Sequence, residues 1–209
     1  MTIRYIDVHV LQTVPPSNIN RDDTGSPKQA RYGGVDRARV SSQAWKRATR
    51  THFWAGVDPS EQSTRTKRVV TTVADRLVAR TGVDRDAASR MAIALTADLN
   101  ITPDKKEKKK GAADAPADPE ASYLLFFGLE QIDSLIDQVE DRVAALAELD
   151  DDALKKELSH VSAAEHLSKG HPIDVALFGR MVADLTSLNV DAAAQVAHAI
   201  STHAVQNEF

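Results

Sequence analysis

The chain contains no cysteine among its 209 residues. That absence excludes a disulfide framework, a thiolate zinc site and a cysteine nucleophile, and it fits a reducing cytoplasm. Long apolar runs are missing too. No early stretch resembles a signal peptide, and none approaches the roughly 20 residues needed to cross a bilayer, so no membrane association is expected. There is no Walker glycine loop and no G-x-S-x-G elbow. The seven histidines do not form a ligand cluster by spacing: His198 and His203 are five apart, and His160, His166 and His171 are six and five apart. A helix chelating zinc needs an i, i+4 pair. Enzymatic readings have little to rest on, and neither a metal nor a cofactor is expected.

What is present is 42% hydrophobic and 27% charged, enough apolar material for one domain with a real core and room for a second lobe. The net charge of −4 hides a polarity along the chain. Residues 1–50 carry nine Lys/Arg against four Asp/Glu, a net of +5. Residues 111–209 carry five against eighteen, a net of −13. An anionic ligand belongs on the N-terminal part, and the acidic part reads as a solvated outer lobe.

Residues 3–11 alternate, with Ile6, Val8 and Val10 on one side and Tyr5, Asp7 and His9 on the other, which predicts a half-buried strand. Ser17 to Val40 reads as a long irregular loop, more often functional than idle at that length. Ser41 or Ser42 can cap a following helix. On that helix Gln43, Lys46, Arg47 and Arg50 share one face. Amphipathic helices are expected at about 60–81 and 84–98. A charged, low-complexity loop spans 103–121. Helical or mixed structure resumes from Tyr123, including 132–146 and two short helices near 151–169. A second buried strand is expected at 173–181, and an Ala-rich helix at 191–202. The class is therefore α+β, with the two strands pairing around a helical insertion.

The block from Asn18 to Arg50 is continuously polar and basic. Gly33 and Gly34 permit close backbone approach, and a capped helix N-terminus suits a phosphate oxygen. Together they form a track for a polyanionic strand, through contacts that position rather than read sequence. A solvated basic surface is the alternative. Asp22 and Asp23 are adjacent carboxylates in this loop. They leave open a metal-dependent ribonuclease, although two carboxylates alone make a poor metal site. A helical protein–protein interaction module is a third possibility.

The stretch IDVHVLQTVPPSNINRDDTGSPKQARYGGVDRARVSSQAWKRATR resembles the opening of the CasC family, the repeated backbone subunit of type I-E CRISPR Cascade. Its marks are the Pro-Ser turn, NRDD, GG, R-x-R and SSQ-x-x-KRA-x-R. DVALFGRM and NVDAAAQVAHAISTHAV are similar to the same family. The resemblance implies an RRM-like (ferredoxin-like) palm with a large, mainly helical finger insertion. The corresponding boundaries are 1–56 for the N-terminal palm, 57–170 for the finger and 171–209 for a palm strand and the start of a thumb. CasC chains continue further, so a truncation before the C-terminal palm strands and thumb tip is expected. The implied function is non-catalytic binding of guide RNA in the cytoplasm. Partners would be the guide, target DNA reached through it, further copies of the chain and other Cascade subunits. Carried over, the RNA-binding residues are Arg21, Lys28, Ser41, Gln43, Lys46 and Arg50, with Met181 packing on bases. The run Lys105, Lys106, Lys108, Lys109 and Lys110 is the expected DNA contact.

Overall fold

A computed structural model describes residues 4–101 and 118–206. In chain order the strands are β1 (Gln29–Tyr32), β2 (Val35–Val40), β3 (Ser63–Thr66), β4 (Leu125–Gly128) and β5 (Ala199–Ile200). The helices are α1 (Ser42–Trp54), α2 (Val69–Thr81), α3 (Arg85–Leu95), α4 (Leu129–Ile136), α5 (Val143–Ala147), α6 (Asp151–Glu157), α7 (Ala163–Leu167) and α8 (Ile173–Phe178). The architecture is α+β. It divides into two units, Met1–Thr49 with Val196–Phe209, and Arg50–Gln195.

The first unit is built on a hairpin. Gly33 and Gly34 have φ of 65° and 80°, a left-handed pair that closes a two-residue turn of the type whose twist matches paired strands. The register runs from Gln29↔Ala38 to Tyr32↔Val35. β5 pairs along the other edge of β2, Arg39 with Ile200 and Val40 with Ala199. Residues 17–40 are therefore half sheet, not the uniform loop expected. The glycines serve the turn, where their missing Cβ removes the cost of positive φ.

In the second unit the helices bury one contiguous core. α2 contributes Val69, Val70, Val73, Ala74 and Leu77, and α3 contributes Ala88, Met91, Ala92, Ala94 and Leu95. These meet Leu125 and Phe127 of β4 and Ile132, Leu135 and Ile136 of α4. Each large aliphatic or aromatic side chain taken out of water contributes about 1.5–3 kcal/mol. Gly82, at φ 71°, ends α2, and the Asp84 side chain accepts from the Asp86 and Ala87 N–H groups to start α3. Arg76 and Arg80 on α2 reach Asp133, Asp137 and Glu140 across to α4 and the turn after it.

Four expected elements are corrected. The helix expected at about 60–81 begins only at Val69, because residues 63–66 form β3 and pair with β4. Residues 4–15 form no strand, and Tyr5, Ile6, Val8, Val10 and Leu11 are exposed. Alternation marks a chain fit for a sheet, but a strand needs a partner edge, and none of the described strands pairs with it. Residues 173–178 form helix α8 rather than a buried strand. Short apolar runs do not distinguish the two by period, and here Pro172 caps a helix in which Asp174 and Val175 face inward while Ile173, Ala176 and Leu177 face out. Residues 191–202 are not helical. The Ala193 and Ala194 N–H groups donate to Ala176 and Leu177 carbonyls, and Ala199–Ile200 joins β2, so tertiary partners override alanine's helix propensity. The two expected strands consequently do not pair with each other.

Candidate nucleic-acid interface

α1 starts where the sequence places it. The Ser41 side-chain oxygen accepts from the Ala44 N–H at 3.2 Å, and Ser41 is buried. Its hydroxyl is thus engaged by the cap. The Ser41 N–H donates to Asn20 Oδ1 at 2.9 Å, and the Ser42 N–H donates to His198 Nδ1 at 2.9 Å. Of the first-turn donors, the Gln43 N–H has no acceptor among the described residues, and Gln43 is exposed. Lys46 is half-buried and Arg47 exposed on the following turn.

The loop before the hairpin is closed by its own groups. Arg21 pairs with Pro27 as an isolated bridge, and its Nη1 donates to the Gly25 carbonyl at 2.6 Å. Asp22 Oδ1 accepts from the Thr24 N–H, the Thr24 hydroxyl and the Ser26 N–H at 2.9, 2.7 and 2.9 Å. These bonds, the Thr24 hydroxyl foremost, hold the Asp22 carboxyl below its ordinary range. Asp22 is therefore a loop-closing group, and Asp23 is exposed beside it. Among the described residues no three His, Asp or Glu side chains are grouped to hold a metal ion.

Lys28 leads into the hairpin, its N–H donating to Asn20 O and its carbonyl accepting from the Arg39 N–H. Arg37 spans the hairpin. Its Nε donates to the Tyr32 carbonyl at 3.0 Å and its Nη1 to the Ser201 carbonyl at 2.9 Å, while its guanidinium lies 5.9 Å from the Tyr32 ring centre. Arg39 Nε is buried without a hydrogen-bond partner. No carboxylate lies within ion-pairing distance of Lys28, Arg31, Arg37 or Arg39 among the described residues. Lys28 nonetheless lies close enough to Asp22 to help lower its carboxyl. The first unit thus carries a strip of cations without an ion pair, on a hairpin and loop tied to one helix start.

Arg50 is engaged by an ion pair. It belongs to the second unit, where its Nε donates to Asp174 Oδ2 at 2.9 Å, and Ser63 Oγ donates to the same oxygen at 2.6 Å. The Arg50 guanidinium also sits 4.8 and 5.0 Å from the Phe126 and Phe178 ring centres. Met181 follows α8 and is 82% exposed; it is not a core methionine. Its neighbour Arg180 is buried and donates to the carbonyls of Leu188, Phe126 and Leu167 at 2.7, 2.8 and 2.8 Å. Burial without a carboxylate draws that guanidinium down to about 10, still charged at neutral pH. Lys105, Lys106, Lys108, Lys109 and Lys110 lie outside the described residues.

The arrangement has counterparts. Residues 6–209 match the CT1975-like protein family, Cas_CT1975. The chain belongs to that family. This CT1975-like chain is 36% identical to a chain of a CRISPR RNA-guided surveillance complex, with a TM-score of 0.61, over 92% of its own length and 57% of that chain. It is also 36% identical to a chain of a CRISPR RNA-guided surveillance complex, pre-nicking, with a TM-score of 0.61, over 90% of its own length and 50% of that chain. The CT1975-like chain thus spans only 50–57% of the length of these structures. No curated protein matches it. Among the described residues no helix is long and apolar enough to cross a membrane.

Proposed function

We propose that this CT1975-like chain is a non-catalytic backbone subunit of a type I-E Cascade, binding guide RNA in the cytoplasm and polymerising along the spacer. The observation that carries this reading is the strip of Lys28, Arg31, Arg37 and Arg39, none held in an ion pair among the described residues, set beside the open Gln43 N–H at the start of α1. Unpaired cations on a rigid hairpin favour a polyanion, and the contacts available to them are phosphate contacts. The protein would position the strand, the guide's base pairing would select target DNA, and the chain would be blind to sequence. The three-stranded sheet of the first unit would belong to an RRM-like palm, and Met181, exposed beside α8, would pack on bases. The run Lys105–Lys110 would meet target DNA; neutralising it should leave RNA affinity intact and weaken DNA binding.

Single-stranded RNA binding by the purified chain at two salt concentrations tests the central claim. We expect affinity to fall steeply with salt and to be indifferent to sequence. Lys28→Glu and Lys46→Glu should each weaken it and reduce the salt slope by about 0.7 for every phosphate that is no longer neutralised. Absence of binding at low salt, or binding that ignores both substitutions, would overturn the reading. Cleavage of bound RNA with Mg²⁺ that disappears when Asp22 and Asp23 are both replaced by alanine would overturn the non-catalytic part.

A further inference from the structure

A second cationic position belongs to the second unit. β3 and β4 pair antiparallel with Arg65 directly opposite Phe126, so the two side chains share one face of the sheet. The other face carries Leu125 and Phe127, which are fully buried. The face with Arg65 is covered at the end where Ser63 pairs with Gly128, both buried, and open at Arg65, which is exposed beside the half-exposed Phe126.

On that face the Arg65 guanidinium lies 5.4 Å from the Phe126 ring centre, and Arg50 lies 4.8 Å from the same centre. The two cations differ in their company. Arg50 is neutralised by Asp174 at 2.9 Å and is largely buried. Arg65 has no carboxylate within ion-pairing distance among the described residues. Arg68, three positions on, is already paired with Glu120 at 2.9 Å. An exposed arginine ordinarily loses side-chain freedom when it binds. Here an aromatic ring already holds it, next to another cation and without an anion of its own. That is the arrangement of a waiting anion contact, since the fork N–H groups of a stacked guanidinium remain available for two phosphate oxygens.

We propose that Arg65, carried on Phe126, is a second nucleic-acid contact of this chain, taking a backbone phosphate of a single strand. The inference rests on the RNA-binding reading above and extends it to the second unit. Guide RNA and a DNA strand present the same phosphate chemistry, so both are tested.

The test is fluorescence anisotropy of the full chain with an RNA and a DNA single strand of equal length, across a salt series. The variants are Arg65→Glu, Arg65→Lys and Phe126→Leu, with Lys28→Glu as the reference for the N-terminal strip. Arg65→Glu should weaken binding roughly tenfold and lower the salt slope by about 0.7. Arg65→Lys should keep the slope yet lose affinity severalfold, because lysine keeps the charge but not the stacked fork. Phe126→Leu should lose affinity with the slope retained, its fold checked by circular dichroism. Weakening confined to RNA assigns the contact to the guide, and weakening confined to DNA assigns it to a DNA strand. If Lys28→Glu weakens binding while Arg65→Glu stays within twofold of the parent on both strands, this inference alone falls. If the parent binds neither strand at low salt, the underlying reading falls and takes this one with it.

Discussion

Asp174 should be among the most costly polar residues to remove in the second unit. Its side chain is 3% exposed, and its Oδ2 accepts from Arg50 at 2.9 Å and from Ser63 at 2.6 Å; Oδ1 is buried with no partner. Asp174→Ala strands the Arg50 cation, itself only 13% exposed, together with the Ser63 hydroxyl. Breaking a buried pair in this way costs about 3–5 kcal/mol, mostly because a charge is left without compensation. For a chain of this size each kcal/mol moves Tm by about 2–4 °C, so a fall of about 6 °C or more is expected. Arg50→Met should cost a similar amount while still packing against Phe126 and Phe178. Asp174→Leu should cost a similar amount to Asp174→Ala. The double variant Arg50→Met, Asp174→Leu instead removes both charges and should recover much of the stability, since apolar replacements of buried pairs are often neutral. The cycle is built from Arg50→Met, Asp174→Leu and their double. Urea melts followed by circular dichroism, arranged as a double-mutant cycle, measure this. If the effects of the two single substitutions simply add to within about 0.5 kcal/mol, the pair is not coupled and the reasoning is wrong. The same cycle decides how Arg50 relates to RNA. A structural cation predicts that Arg50→Met and Asp174→Ala lower RNA affinity together or not at all.

Three further outcomes follow from the geometry. Arg180→Met should destabilise by about 3 kcal/mol, because the carbonyls of Leu188 and Phe126 lose this side-chain donor and Leu167, which keeps Gln131 as a donor, loses one of two; a urea melt reads it. Gly179→Ala should cost about 2–3 kcal/mol, since Gly179 has φ 75° and ψ 167° and a Cβ there would lie 2.8 Å from the Val190 carbonyl oxygen; strain of that kind is typical of positions reserved for glycine. An Asn substitution should not rescue it, because the clash is with backbone. The Arg76–Asp133 bond holds the Asp133 carboxyl below its ordinary value of 3.8. Its stabilisation is therefore present above that value and lost as pH falls through the lower folded one. The half-exposed partner limits the effect to about 1 kcal/mol, and thermal melts from pH 5 to pH 2 should be flatter in Asp133→Asn than in the parent.

Where local rules act, the fold is legible in the sequence. Ser41 caps α1 because its oxygen reaches an N–H three residues on, and α2, α3, α6 and α7 follow apolar periods that close on a neighbouring helix. The departures share one cause. Residues 4–15, 63–66, 173–178 and 191–202 have patterns that suit another element, but the outcome depends on which distant backbone edge or carbonyl is available. The basic strip is visible as composition. The groups that organise it are not, since Asn20 lies 21 residues before the N–H it accepts from and His198 lies 156 residues after the one it accepts from. Arg50 gains its partners for the same reason. A helical wheel places it beside Lys46 on a polar face, and only the fold brings Asp174 to it. Arg65, Phe126 and Ser63 carry no local signal, as their meaning arises from a cross-strand register.

Among the described cations two groups stand apart, and the difference bears on function. Arg76, Arg80, Arg85 and Arg142 each meet a carboxylate, and Arg50 meets one in the interior. Their charge is neutralised within the fold, and a polyanion would have to break those bonds to use them. Among the described residues, Lys28, Arg31, Arg37, Arg39 and Arg65 form no ion pair, although Lys28 lies near Asp22. Clustered like charges destabilise a folded surface through mutual repulsion, so a strip without ion pairs persists at a cost unless something outside the chain relieves it. A bound phosphate backbone relieves it and gains affinity from the counterions released. It follows that RNA should stabilise the chain against heat by more at low salt than at high salt. It also follows that the gain should shrink when unpaired cations such as Lys28 or Arg39 are reversed. Reversing an exposed member of a paired set, such as Arg142, should leave the gain unchanged. A gain that fell equally in both classes would mean that net charge alone, and not the unpaired positions, governs binding.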